Sequence, residues 1–338
     1  MLKTCIVGSG AISKTHAEAL KNVADTKIVA FCDEKTERAL IRRSEYGGNA
    51  YSDLTEMLDK EKPDVLHICT PHYLHVPMAI EALRRGINVM MEKPVAISHG
   101  QFSELTAAKQ RSSARLGICF QNRYNGSVVE ARRLLEGGSF GKILGARGIV
   151  TWCRGGAYYT ESGWRGQLAK EGGGVLINQS IHTLDLMTYL LGKPERVTAT
   201  SANFHLKGVI DEEDTVNAFL EYSDKTAVFF ATTANCKDAP IILDIFCENG
   251  TLRLEGNSLK ITHPDNTSEF KDYATRLPSG KACWGTSHAL LIKDFYGSLT
   301  GGSDFPVTLE STIPSFETMM AIYDSAKAQK SLKPGELI

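Results

Sequence analysis

The sequence predicts an α/β chain in two parts: a doubly wound parallel sheet over residues 1–121, then an α+β region over 122–338 with a large, mostly antiparallel open sheet. Three observations carry this. Up to about Phe120, short apolar strands alternate with helical segments over short links, the pattern of a parallel sheet covered by helices on both faces. From about residue 143 the texture changes to period-two runs such as Asp214 to Tyr222 and Thr226 to Phe230, separated by the polar turn Ser223-Asp224-Lys225. Finally, 338 residues with 42% hydrophobic content exceed one average domain and suffice to bury two cores.

In the first part, strands are expected at 3–7, 27–32, 65–69, 87–91 and 115–120. Helices are expected near 11–23, 35–46, 52–60, 73–85 and 98–112, with Ser52 and Ser98 as N-caps and Gly86 as a stop. In the second part, a hairpin joins Ile242–Cys247 to Thr251–Leu254 through Asn249-Gly250, a strong turn signal. Helices are expected there near 126–137, 175–191, 286–299 and 309–329. No internal repeat or low-complexity tract interrupts the chain.

The first strand runs directly into Gly8-Ser9-Gly10-Ala11-Ile12-Ser13. Gly8 permits a backbone turn that a side chain would block, and Gly10 allows main chain to approach phosphates. The helix opening at Ala11 and Ile12 points its free N–H groups at them. Ser13 stands where a third glycine governs close helix–strand packing. A second strand ends at Asp33, about 25 residues after Gly8, where a carboxylate accepts hydrogen bonds from an adenosine ribose diol and repels a 2′-phosphate. NAD is therefore expected over NADP.

Lys and Arg total 38 against 39 Asp and Glu, with no basic block, so neither nucleic acid nor an anionic membrane is an expected partner. No stretch approaches the ~20 apolar residues of a membrane span, and no secretory signal opens the chain, which predicts a cytoplasmic location. The eight cysteines (Cys5, Cys32, Cys69, Cys119, Cys153, Cys236, Cys247 and Cys283) are scattered without C-x-x-C pairs and read as small core residues in a reducing compartment. The nine histidines occur without ligand spacing, and no metal is expected.

Two segments carry chemistry. The strand 88–91 runs into Glu92-Lys93-Pro94-Val95, which places an ionisable pair at a carboxyl end of the sheet, the edge where open parallel sheets bind ligands. Beside a cationic nicotinamide the Lys93 pKa is expected to fall, fitting it to exchange a proton with a hydroxyl whose carbon gives up hydride. The second segment is Gly172-Gly173-Gly174 followed by a helix in which Asn178, His182 and Asp185 share one face. The glycines let the chain pass something bulky and flat. His182 is the acid–base candidate, Asn178 orients an oxygen, and Asp185 holds the imidazole or contacts substrate. Upstream, Tyr158, Tyr159 and Trp164 offer aromatic faces to the apolar surface of a ligand, with Arg165 as a donor to its oxygens. Arg123 and Lys170 read as pocket donors or surface cations, and His288 as a visitor to the site or a helix cap.

These motifs, together with Cys69-Thr70-Pro71-His72-Tyr73-Leu74-His75, Gln121-Asn122-Arg123-Tyr124-Asn125 and Trp164-Arg165-Gly166, closely resemble the Gfo/Idh/MocA oxidoreductases over nearly the whole chain. The resemblance implies a Rossmann domain, Lys93 and His182 as the catalytic pair, and Thr70, Pro71 and His75 at the nicotinamide end with Glu92 and Gln121. It also implies Gln121, Trp164 and Arg165 bordering nicotinamide and substrate. One departure stands out: many members carry Asp where this chain has Asn178, and an amide is no general base, so Lys93 and His182 must suffice. His72, where Asn is more usual, is a milder change.

The expected activity is hydride transfer between NAD and a hydroxyl-bearing carbon of a sugar, sugar derivative or cyclic polyol. The alternatives are a hydrolase or epimerase that retains its NAD, and a non-catalytic NAD-dependent regulator. The open sheet, with the resemblance, predicts a homodimer or homotetramer.

Overall fold

The computed structural model describes residues 1–273 and 287–336, and within them two compact units. Cys283 and the first residue of the helix expected near 286–299 lie outside the described residues.

The first unit holds six parallel strands: β1 (Leu2–Val7), β2 (Thr26–Cys32), β3 (Asn49–Tyr51), β4 (Val65–Ile68), β5 (Asn88–Met91) and β6 (Leu116–Ile118). Their order, β3-β2-β1-β4-β5-β6, reverses direction of growth beside β1, which is the switch point of a doubly wound sheet. The central strands β1 and β4 are buried on both faces, as their near-continuous apolar sequences require. Strand β3 was not expected, because three residues on an edge carry no apolar pattern. Gly48 sets it down: with φ of +82°, a side chain there would strike the Val29 carbonyl. Ser98 caps its helix by accepting from the Gln101 N–H at 3.2 Å. At the helix Leu54–Glu61 the cap is Asp53, accepting from the Glu56 N–H at 2.7 Å, and not Ser52.

Residues Met1–Gln121 are joined in this unit by Ser287–Thr312, so the second unit is not the contiguous stretch 122–338 but Asn122–Thr286 with Ile313–Ile338. The helix His288–Leu299 buries Leu291, Ile292, Phe295 and Tyr296, and the Ile118 N–H donates to Val307 beyond it at 3.0 Å. Gly117 makes this close approach possible, since a side chain there would press on Phe295 and Phe305. Nothing local in the sequence marks such a return.

The second unit holds eight strands: β7 (Ile143–Thr151), β8 (Arg196–Ala202), β9 (Thr215–Glu221), β10 (Thr226–Thr232), β11 (Ile242–Cys247), β12 (Gly250–Glu255), β13 (Ser258–Thr262) and β14 (Ser268–Asp272). Their order is β14-β13-β12-β11-β7-β10-β9-β8, antiparallel except for the parallel pair β7 and β10. Helices Ile181–Leu191 and Ile313–Ala328 cover one face. Gly148 of β7 leaves room for the Met187 sulfur, and Ser325 accepts at the β8 backbone. The alternating strands leave Leu144, Phe219, Val228 and Phe246 exposed on this sheet.

The helix expected over 175–191 begins only at Ile181; residues 175–180 wind in tight turns in which the Gln179 and Ser180 N–H groups both bond the Val175 carbonyl. Five of the seven described cysteines are buried as expected, whereas Cys153 and Cys236 are exposed, and all seven are free thiols. No helix among the described residues is long and apolar enough to cross a membrane.

Candidate functional site

In the first unit, Gly8 takes φ of +84° and lies so close to the Cys69–Thr70 peptide that a Cβ would stand 2.5 Å from it. This turn brings the Ser9 N–H to 2.8 Å from one Asp33 carboxylate oxygen, while the Lys35 N–H donates to the other at 2.9 Å. Asp33 is thereby fixed at the end of β2. Gly10 differs from Gly8: among the described residues a Cβ there would meet nothing within 4 Å. Behind it the helix Ala11–Leu20 starts without a side-chain cap and without an acidic residue in its first turn. Uncapped N–H groups, open space over Gly10 and a fixed carboxylate suit a dinucleotide: the phosphates at the helix start, the ribose diol at Asp33. Ser13 serves packing, buried with its hydroxyl on the Gly10 carbonyl at 2.7 Å. Ala11 is exposed and Ile12 half-buried beside it. Among the described residues the buried Thr70 Oγ1 meets no hydrogen-bond partner, which leaves it able to bond a ligand group.

His75 is held between backbone carbonyls. Its two ring nitrogens lie 2.9 Å from the Pro94 carbonyl and 3.0 Å from the Thr70 carbonyl, so it braces the two loops that follow β4 and β5. Burial lowers its pKa. Pro71 is half-buried beside it and Gln121 fully buried.

Lys93 follows β5, half-buried, with a cis peptide to Pro94. Its neighbour Glu92 anchors the segment through a buried polar chain that the sequence did not disclose. The Glu92 carboxylate is 3.0 Å from His16 Nε2 and 3.8 Å from His288 Nε2. His16 Nδ1 meets His67 Nδ1 at 2.8 Å, and His67 Nε2 reaches the Tyr296 hydroxyl at 3.0 Å, itself 2.7 Å from the Thr4 hydroxyl. Burial alone would raise the Glu92 pKa, but the His16 and His288 contacts hold it well below the carboxylate range, while burial pushes His67 well below the histidine range. The chain thus runs from a charged Glu92 through His16 to a neutral His67. Cys119 adjoins His16 at 3.7 Å, its thiol kept protonated by burial. His288 thus joins this cluster; His16 and His67 gave no signal, being single histidines in unrelated motifs.

In the second unit, the glycine triplet is crowded by the protein itself. Gly172 ends a short helix at φ of +87°. A Cβ on Gly173 would collide with the Tyr323 hydroxyl, and one on Gly174 would lie 1.9 Å from the Glu213 carbonyl oxygen. The flat object that the glycines admit is therefore the chain's own backbone and ring. The Glu213 carboxylate, buried, accepts from the Gly174 N–H, the Leu176 N–H and the Tyr323 hydroxyl, at 3.0 to 3.2 Å. Burial nevertheless raises its pKa to about 7.

Because Asn178 precedes the helix Ile181–Leu191, it does not share a helical face with His182 and Asp185. His182 sits half-buried in the first turn. Asp185 is committed elsewhere: its carboxylate takes a forked pair of bonds from Arg123, one at 2.8 Å, and a third from Ser315, all deeply buried. Arg123, read as a pocket donor or surface cation, and Asp185, read as holding the imidazole or contacting substrate, pair with each other and so lock the segment after residue 121 to this helix. Tyr158, Trp164 and Arg165 do come together, with the Arg165 guanidinium 4.4 Å from the Tyr158 ring centre and 4.9 Å from that of Trp164. Tyr159, by contrast, is core, packed with Leu206 and Ile210. Lys170 reaches the Gly163 carbonyl at 3.0 Å. The residue missed here is Glu171, fully buried, which accepts from the Asn178 side chain and the Gly166 N–H.

Residues 2–120 match the family described as "Oxidoreductase family, NAD-binding Rossmann fold", and residues 128–253 match the "GFO/IDH/MocA C-terminal domain". The chain is 31% identical over 229 residues to D-glucoside 3-dehydrogenase of Escherichia coli, an alignment spanning 67% of this chain and 63% of that protein. It is 28% identical over 192 residues to glucose-6-phosphate 3-dehydrogenase of Bacillus subtilis, spanning 56% and 54%. The matched region thus covers less than two thirds of the length of these two curated relatives. Among solved structures, the WlbA dehydrogenase from Bordetella pertussis, in complex with NADH and UDP-GlcNAcA, superposes with a TM-score of 0.87 at 27% identity, covering 100% of this chain and 99% of that one.

Proposed function

Because the chain belongs to the GFO/IDH/MocA oxidoreductase family and its first unit is the NAD-binding Rossmann fold, we propose that it is an NAD-dependent dehydrogenase acting on a secondary hydroxyl of a sugar. The observation that carries this is Lys93 at the carboxyl end of β5, half-buried, on a segment anchored through Glu92 to a buried histidine chain. A binding module needs no proton-transfer lysine held with such definition.

Gly8 and Gly10 with the N–H groups at Ala11 and Ile12 would hold the pyrophosphate, Asp33 the adenosine ribose, and Thr70, Pro71, Gln121 and the segment of Glu92 and Lys93 the nicotinamide end. Bound NAD supplies the hydride acceptor. In this proposal Lys93 and His182 take up and return the proton of the reacting hydroxyl, Asn178 orients a sugar oxygen, and the Tyr158, Trp164 and Arg165 stack lies against the sugar. The two relatives named as 3-dehydrogenases put pyranosides with a free 3-hydroxyl first among substrates. The exposed apolar residues Leu144, Phe219, Val228 and Phe246 support a homodimer or homotetramer through the eight-stranded sheet, and seven free thiols support a cytoplasmic location.

The test follows NADH at 340 nm with pyranosides, nucleotide sugars and polyols, wild type beside Lys93→Met. Turnover by the wild type that falls about 10² to 10⁴-fold in the variant, with NAD affinity kept, is expected. Tightly held NAD with no net NADH across the panel would overturn the free-cofactor dehydrogenase. An equal rate in Lys93→Met would remove Lys93 from the chemistry.

A further inference from the structure

The peptide that joins Gly10 to Ala11 is held by side chains. Its carbonyl, on Gly10, accepts from the Ser13 hydroxyl at 2.7 Å and from Arg42 Nη2 at 3.1 Å. Arg42 Nε donates to the same Ser13 hydroxyl at 3.2 Å, so guanidinium, hydroxyl and carbonyl close a ring of three bonds around the fully buried Ser13. Arg42 comes from the helix Thr36–Tyr46, and one turn later the Tyr46 hydroxyl donates to Glu18 at 2.7 Å. Two residues at i and i+4 thus fasten this helix to the helix Ala11–Leu20. The third nitrogen, Arg42 Nη1, meets Glu45 at 2.6 Å, and that carboxylate balances the guanidinium charge.

A trans peptide unit is planar, so its C=O and the N–H of the next residue point in opposite directions as one rigid body. Donors fixed on the Gly10 carbonyl therefore fix the direction of the Ala11 N–H, in the first turn of a helix without a side-chain cap. The Ser9 N–H is already spent on Asp33, so the phosphate donors of this turn lie beyond it. We propose that Arg42 is a positioning residue for the dinucleotide: with Ser13 it grips the Gly10 carbonyl and so aims the Ala11 N–H at the pyrophosphate, a role that rests on the phosphate placement given above. Ser13 then does more than fill the place of a third glycine, because it passes the hold of Arg42 to the turn. With its charge balanced by Glu45, Arg42 delivers direction and not net charge.

Arg42→Met and Ser13→Ala test this, with the Kd for NAD and for adenosine measured by fluorescence titration in about 50 mM and about 500 mM salt. Arg42→Met is expected to raise the Kd for NAD about tenfold at both salt concentrations and Ser13→Ala about threefold. Adenosine, which carries no phosphate, should bind both variants within about twofold of wild type. Unchanged NAD affinity in the two variants overturns the proposal. A loss of NAD affinity confined to low salt makes Arg42 a distant charge and overturns its positioning role. Equal losses for NAD and adenosine make it a packing contact between two helices and overturn that role as well. Gly10→Ala keeps the two levels apart. If that variant binds NAD as the wild type does, the phosphate placement itself fails and the role of Arg42 with it; a weakened Gly10→Ala beside an unaffected Arg42→Met overturns the role of Arg42 alone.

Discussion

The chain contains two glycine-rich turns, each leading into a helix, and they do opposite things. At Gly8-Ser9-Gly10, one glycine is pressed on the chain's own Cys69–Thr70 peptide, and the other opens onto space in front of an uncapped helix. At Gly172-Gly173-Gly174, the second and third glycines are filled from within, by Tyr323 and by the Glu213 backbone. The first turn makes room for a ligand; the second makes room for the protein, and so sets the positions of Asn178 and His182 indirectly. The same residue type in the same local context therefore carries no information about what occupies the space it leaves.

Substitution at these turns is the sharpest way to break the contrast. Gly174→Ala forces a Cβ into the Glu213 carbonyl and is expected to destabilise the protein by about 4 kcal/mol or more, read by denaturant unfolding. Wild-type stability in that variant would mean that the triplet is not packed as described.

Next in size is Glu213. Its carboxyl titrates at about 7 in the folded protein against an ordinary value of 4.5, so the folded state holds its proton more tightly. The stability this contributes, about 3 kcal/mol, is complete below pH 4.5 and is lost as pH rises through 7. Melting temperature should fall between pH 5 and pH 8, and Glu213→Gln should flatten that fall; an equal slope in the variant would assign the pH dependence to other groups.

The smallest effect on stability belongs to Gly10→Ala. Its backbone, at φ of −72° and ψ of −160°, accepts any residue and its Cβ meets none of the described residues, so stability should change by less than about 0.5 kcal/mol. NAD affinity, measured by fluorescence titration, should nevertheless fall about tenfold, because the methyl group stands at the phosphate approach. Unchanged affinity would sever the open glycine from the cofactor.

How far the site was legible follows the same division. The turn at Gly8 and Gly10 and the strand end at Asp33 were readable because strand, turn, helix, strand and acid lie within one stretch of sequence and act through backbone geometry. His75, Arg123 and Asp185 stood out in the sequence but their partners did not, since a buried polar side chain shows its partner only when the chain is folded. Glu171 and Glu213 left no signal at all: a carboxylate before a glycine triplet and another at the start of a strand look like solvated residues until burial and their donors are seen.

By itself the sequence determined the α/β class, the two kinds of sheet, the nucleotide-binding turn and the position of Lys93 at a strand end, because hydrophobic period, glycine freedom and chain direction are local properties. Only the tertiary structure decided that residues 287–312 return to the first unit, that Glu92 is held by His16 and His288, and that Asn178 answers to Glu171. These depend on which distant groups share a desolvated space. There a charge or an amide must find a specific partner, and that choice is made by packing across the fold and not by neighbours in the chain.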